Sequence, residues 1–157
     1  MARRTKWFEL RIPPLALTVA VVAAMVGTAH WLPDWRASWP GFTAGAAVVG
    51  VVGVLLAVLG VYEFRRARTT VNPLTPDNAS RVVKSGVFRF SRNPMYLGMA
   101  LLLLALALHQ SHALSFVWVA GYVVYLNHFQ ILPEERALEA RFGDEYRAYA
   151  KAVRRWI

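Results

Sequence analysis

The sequence predicts an all-α integral membrane protein. It has four transmembrane helices, the last two forming a helical hairpin, and an amphipathic helix at the C-terminal end. Three observations carry this. Of 157 residues, 57% are hydrophobic and only 17% charged, against roughly 45–50% and about 25% in soluble domains. The apolar residues gather in four runs. The 18 Lys and Arg fall almost entirely in every second connection between those runs. The length fits a single domain over residues 1–157.

The first run covers residues 12–32. Basic residues before an apolar run also mark a signal peptide, but no small-x-small cleavage site closes this one, so it reads as a retained span. The second covers 42–62, long enough to cross a bilayer. Gly41 and Gly45 form a GxxxG, and Gly50, Gly53, Ala57 and Gly60 recur at helical spacing. Small residues let helices approach closely, here within the subunit or across a homodimer. The connection 63–93 holds two prolines and turn formers in "NPLTPDN". Glu63, among Arg65, Arg66 and Arg68, reads as an interfacial ion-pair partner.

The third run, 95–108, is short. At 1.5 Å per residue it covers about 21 Å of a core roughly 30 Å thick. The turn "HQSH" links it to the fourth run, 114–132, so the pair hangs from the outer side and the start of the third helix is recessed. His109 and His112 of that turn read as solvated loop histidines rather than metal ligands. In the tail, 133–157, Pro133 suits a first helical turn and Glu134 and Glu135 favour a helix N-terminus. Leu138, Phe142, Tyr146, Tyr149, Val153 and Trp156 recur every three or four residues. Such a helix lies on the membrane surface or forms a lid over a site.

Arg3, Arg4, Lys6 and Arg11 precede the first span, and Arg36 stands alone between spans one and two. Seven cations lie in 63–93, none in "HQSH" and six in the tail. The positive-inside bias then sets both termini in the cytoplasm, at the inner membrane of a bacterium. The net charge of +9 serves topology and contact with anionic lipid headgroups, which excludes a nucleic-acid partner. Cysteine is absent, so no disulfide, thiolate nucleophile or Cys-ligated zinc exists. No GxGxxG follows a strand pattern, which excludes a soluble dinucleotide fold.

Polar groups converge on the cytoplasmic ends of spans three and four. Arg92, Asn93, Pro94 and Tyr96 stand in "SRNPMYLG"; Asn127, His128 and Gln130 close span four; Glu134 and Glu135 follow. Arg and Tyr at a span end snorkel routinely. The remaining cluster asks for more, since an ionisable group at mid-span costs roughly 2.5–3.5 kcal/mol. On a 3.6-residue register Asn127, Gln130 and Glu134 face one cavity, with His128 and Glu135 on the adjacent face. Irregular backbone at membrane depth needs a cavity or protein around it. The stretch therefore walls a cytosol-facing cavity.

"SGVFRFSRNPMYLG" together with "EERALEARFGDEYRAYAKAVRRW" resembles the isoprenylcysteine carboxyl methyltransferase and phospholipid methyltransferase superfamily, over roughly Thr70 to Trp156. The resemblance implies a membrane methyltransferase that uses S-adenosylmethionine. It implies a cofactor site of Arg92, Asn93, Pro94, Met95 and Tyr96, with Phe88 and the stretch Ser80, Arg81, Val82 and Val83 upstream, and Glu134. The prenylcysteine enzymes usually carry His where Asn93 stands and Arg where Gln130 stands. Both departures point away from a prenylcysteine carboxylate as acceptor.

Residue chemistry agrees with such a donor. Arg92 suits its carboxylate as a bidentate fork, Glu134 its ammonium, and Tyr96 and Phe88 its sulfonium. An amine acceptor must lose a proton, for which His128 or Glu135 is the expected base. Asn127 and Gln130 are the expected acceptor contacts, and the acceptor is a lipophilic molecule or a membrane lipid. Two other functions fit the pattern: a nicotinamide-dependent reductase of the sterol-reductase type, and a small four-span transporter or interaction protein.

Overall fold

A computed structural model describes residues 9–36, 42–68 and 79–157. Arg3, Arg4, Lys6, Gly41 and the "NPLTPDN" turn lie outside the described residues. Six α-helices follow in order: α1 Pro14–Trp31, α2 Phe42–Arg66, α3 Pro94–Gln110, α4 Ala113–Tyr125, α5 Leu132–Phe142 and α6 Asp144–Ala152. No strand forms among the described residues. Two helices, α1 with 18 residues and α2 with 25, are long and apolar enough to cross a membrane, and α3 is a shorter apolar helix.

Proline starts two of these helices, α1 at Pro14 and α3 at Pro94. Its missing N–H falls where a helix has no acceptor for it. Helix α3 begins at Pro94 and runs 17 residues, three more than the apolar run suggests, because His109 and Gln110 complete its last turn. At 1.5 Å per residue that is still only about 25 Å. It stops at Ser111, whose left-handed φ of 50° turns the chain directly into α4.

The tightest packing is α2 on α3. A Cβ on Gly98 would stand 2.6 Å from Gly53 O, and one on Gly53 would stand 2.9 Å from Gly98 O. Gly60 meets Met95 in the same way. Gly53 and Gly60 of the second span thus serve packing inside the subunit, whereas Gly45 has nothing within 4 Å of an added Cβ. Helix α1 packs on α3 and α4 through Val21, Met25, Leu103, Ala107, Tyr122 and Leu126, all buried. Thr18 Oγ1 and Tyr122 Oη pair at 2.8 Å within this core.

At one end of the bundle, His112 is 0% exposed and its Nε2 lies 2.9 Å from Leu32 O. The expectation of a solvated loop histidine is corrected for His112, because the tight turn folds its ring under the first connection. His109 is exposed, but it stands in the last turn of α3 rather than in a loop. Glu63 pairs with Arg66 at 4.0 Å, as expected; it is also buried, 6% exposed, and accepts a hydrogen bond from Ser85 Oγ. This fastens the loop before α3 to the end of α2. Gly86, at φ 55°, packs so close that a Cβ would stand 2.5 Å from Glu63 Oε1.

The tail is not one helix. Gly143 at φ 53° breaks it into α5 and α6, and Val153 leaves in extended conformation. Upstream, α4 passes without a break through a six-residue π-helical segment, Leu126–Ile131, into α5.

Candidate functional site

A cavity lies at the end of the bundle opposite His112, between the end of α2, the loop 79–90, the start of α3, and helices α5 and α6. Its walls follow from three local choices of the sequence. Pro94 begins α3 and leaves Asn93 outside it at φ −128°, as expected before proline. The Glu63–Ser85 bond brings Val82, Val83 and Phe88 against the mouth. Phe88 also meets Phe64 edge to face, with centroids 5.1 Å apart. The break at Gly143 turns α6 back, so that Tyr146 and Tyr149 close the cavity from the tail side.

Arg81, Val82, Val83, Phe88, Arg92, Asn93, Pro94, Met95, Tyr96 and Glu134 all line this cavity. Ser80 does not: it is exposed, and its Oγ donates to Arg68 O at 3.3 Å. Asn93 lines the wall while its Nδ2 donates to Arg155 O at 3.0 Å. Together with Arg92 N donating to Arg154 O at 3.0 Å, this seals the end of the tail onto the "SRNP" stretch.

The two neighbouring glutamates have different partners. Glu134 Oε1 accepts from Tyr96 Oη at 2.5 Å and from Gln130 Nε2 at 2.5 Å, while no hydrogen bond reaches Oε2 among the described residues. Loss of solvent pushes this carboxyl up to about 7, against the two hydrogen bonds that lower it and with a like charge from Glu135 adding to it. Glu135 is gripped by two guanidinium groups. Arg92 Nη2 lies 3.0 Å from Oε1, and Arg155 donates from Nε at 3.0 Å and Nη2 at 2.7 Å. Arg92 Nε is buried with no hydrogen-bond partner.

The structure does not bring His128 to the cavity. Its ring is exposed, with Nδ1 2.9 Å from Val124 O. Asn127 is also drawn elsewhere, its Oδ1 accepting from Trp156 Nε1 at 3.1 Å. The physical reason is the π-helical segment. A π-turn takes one residue more than an α-turn, so the 3.6-residue register does not carry from residue 127 to residue 135. Gln130 keeps its alignment with Glu134 because both lie beyond most of that segment. It acts behind Glu134 rather than in the cavity wall.

Tyr146, Tyr149, Leu138 and Arg155 are site residues that the sequence alone did not single out. The first three read as the apolar face of an amphipathic helix. The signal available was "EYRAY", two tyrosines three residues apart in a segment that also supplies paired acids.

A family model described as phospholipid methyltransferase matches residues 41–145. An uncharacterized protein of Haemophilus influenzae is 46% identical over 63 residues, which is 40% of this chain and the whole of that protein. No solved structure matches.

Proposed function

Because the chain belongs to the phospholipid methyltransferase family, we propose that it transfers a methyl group from S-adenosylmethionine to a lipophilic acceptor that enters from the bilayer. The observation that carries this is the pairing of unlike polar groups in one largely apolar cavity. Among the described residues, Glu134 keeps one carboxylate oxygen without a partner, and Arg92 keeps a buried Nε–H without one. A ligand bearing both an ammonium and a carboxylate fits such a pair. The rings of Tyr96 and Phe88 suit a sulfonium between them.

When bound, the cofactor supplies an electrophilic methyl group. The chain's part is to position and to exclude water. Tyr96 and Gln130 fix Glu134. Glu135 holds Arg92 and, through Arg155, keeps the tail closed over the site. With both oxygens engaged, Glu135 acts as a wall tie and not as the base, and His128 stands too far outside to serve. Val82, Val83, Met95 and Leu138 give the cavity its apolar lining, which suits a lipid-borne acceptor. Four membrane crossings, with the cavity at the cytoplasmic end, match a donor that arrives from the cytosol.

The test is direct. Purified protein in nanodiscs is incubated with methyl-labelled S-adenosylmethionine and a total lipid extract. Label should pass into the organic phase, and S-adenosylhomocysteine should raise the thermal midpoint. A protein stabilised by neither cofactor form, and leaving the lipids unlabelled, overturns the proposal.

A further inference from the structure

Tyr146 and Tyr149 stand side by side on α6 with ring centroids 6.3 Å apart, planes at 66°, and both border the cavity. They are equally buried, 5% and 8% exposed. What differs is the hydroxyl. Tyr149 Oη donates to Phe88 O at 2.8 Å and so ties the tail to the loop before α3. Tyr146 Oη makes no hydrogen bond among the described residues, and it is not one of the buried atoms that lack a partner, so it opens onto the cavity.

Tyr146 lies in the field of Glu135, Arg92, Arg155 and Glu134. The second unpartnered donor of the cavity, Arg92 Nε, belongs to the same cluster. Glu135 engages Arg92 through Nη2. A ligand carboxylate has two oxygens, and a second donor beside the guanidinium would strengthen the grip on it.

We propose that the Tyr146 hydroxyl supplies that donor, forming with Arg92 a subsite for the carboxylate of the methyl donor. This rests on the methyltransferase reading above. Burial pushes the phenol up to about 12, so it stays protonated and donates at neutral pH. The ammonium of an α-amino acid sits on the carbon that bears the carboxylate. Its partner must therefore be adjacent, and Glu134 precedes Glu135 on the same helix.

The test is calorimetric titration in detergent with S-adenosylhomocysteine and with its decarboxylated analogue. The parent should prefer the carboxylate-bearing ligand. In Tyr146→Phe that preference should shrink about tenfold, the scale of a hydrogen bond to a charged group, and the ligand-free thermal midpoint should stay at the parent value. Tyr149→Phe should lower the midpoint, because it cuts the tie to Phe88 O. An unchanged preference in Tyr146→Phe, or an equal loss for both ligands, overturns the inference while leaving the methyltransferase reading in place. A parent that binds neither ligand overturns that reading and this inference with it.

Discussion

Glu134 and Glu135 adjoin in sequence, but their carboxyls end in different surroundings. Glu134→Gln should weaken binding of S-adenosylhomocysteine by tenfold or more, the order expected for a lost charge-assisted contact, with little change in thermal midpoint. Glu135→Gln should lower the midpoint first, because it loosens Arg92 and Arg155 together. Calorimetry and thermal unfolding on the two variants separate these effects, and equal affinities for both and the parent would remove Glu134 from the site. Acidity offers a second check. With the carboxyl at about 7, capture of an ammonium below that pH must first release a proton. Affinity should therefore rise about tenfold per pH unit up to about 7 and then level off. The unliganded fold moves the other way. A carboxyl raised above its ordinary value stabilises most below the ordinary range, and that stabilisation is lost as pH rises through about 7. Glu134→Gln should flatten both profiles. At this scale the sequence named most of the cavity, since Arg92, Tyr96 and Glu134 are polar groups beside apolar runs. It misassigned His128 because no side chain announces a π-turn.

At the scale of elements, the α2–α3 contact depends on missing side chains. Gly98→Ala would place a Cβ 2.6 Å from Gly53 O and 2.8 Å from Ala57 N, both backbone atoms that cannot swing aside. Overpacking of this kind costs about 1–3 kcal/mol, so the thermal midpoint should fall. Gly121→Ala, with nothing within 4 Å of its added methyl, should hold or slightly raise the midpoint, as alanine favours a helix by about 1 kcal/mol over glycine. Equal responses would mean the helices are not in this contact. Helices α1 and α2 were legible in the apolar runs because those runs are long enough for a bilayer crossing. The fold of the tail was not. The apolar periodicity runs straight through Gly143, and only the left-handed backbone there reveals two helices meeting over a cavity. The "SRNP" stretch presented a related difficulty. Its residues read as cavity wall, yet Asn93 also clamps the tail, a contact with a segment more than sixty residues away.

For the whole molecule, the two ends of the bundle carry opposite instructions about the membrane. One end joins the first connection to the α3–α4 turn: His112 meets Leu32 O, and Arg36 Nη2 folds back on Ala29 O at 3.1 Å. Arg36, the one cation between the first two spans, is thus tied to a helix end. The other end gathers Glu9, Leu10 and the tail. Leu10 N donates to Phe129 O at 2.9 Å, Arg136 pairs with Glu9 at 2.7 Å, and the tail closes on "SRNP". Helices α1 and α4 therefore run antiparallel over the same depth, and the cations of the loop before α3 and of the tail lie with the cavity. The positive-inside bias is a statement about such ends, so the cavity end should be cytoplasmic. Reporter fusions at Trp35 and at Gln110 should both read as external, and a fusion after Ile157 as cytoplasmic. A cytoplasmic signal at Trp35 or Gln110 would turn the cavity away from any cytosolic methyl donor, and the proposed reaction would fall with the topology.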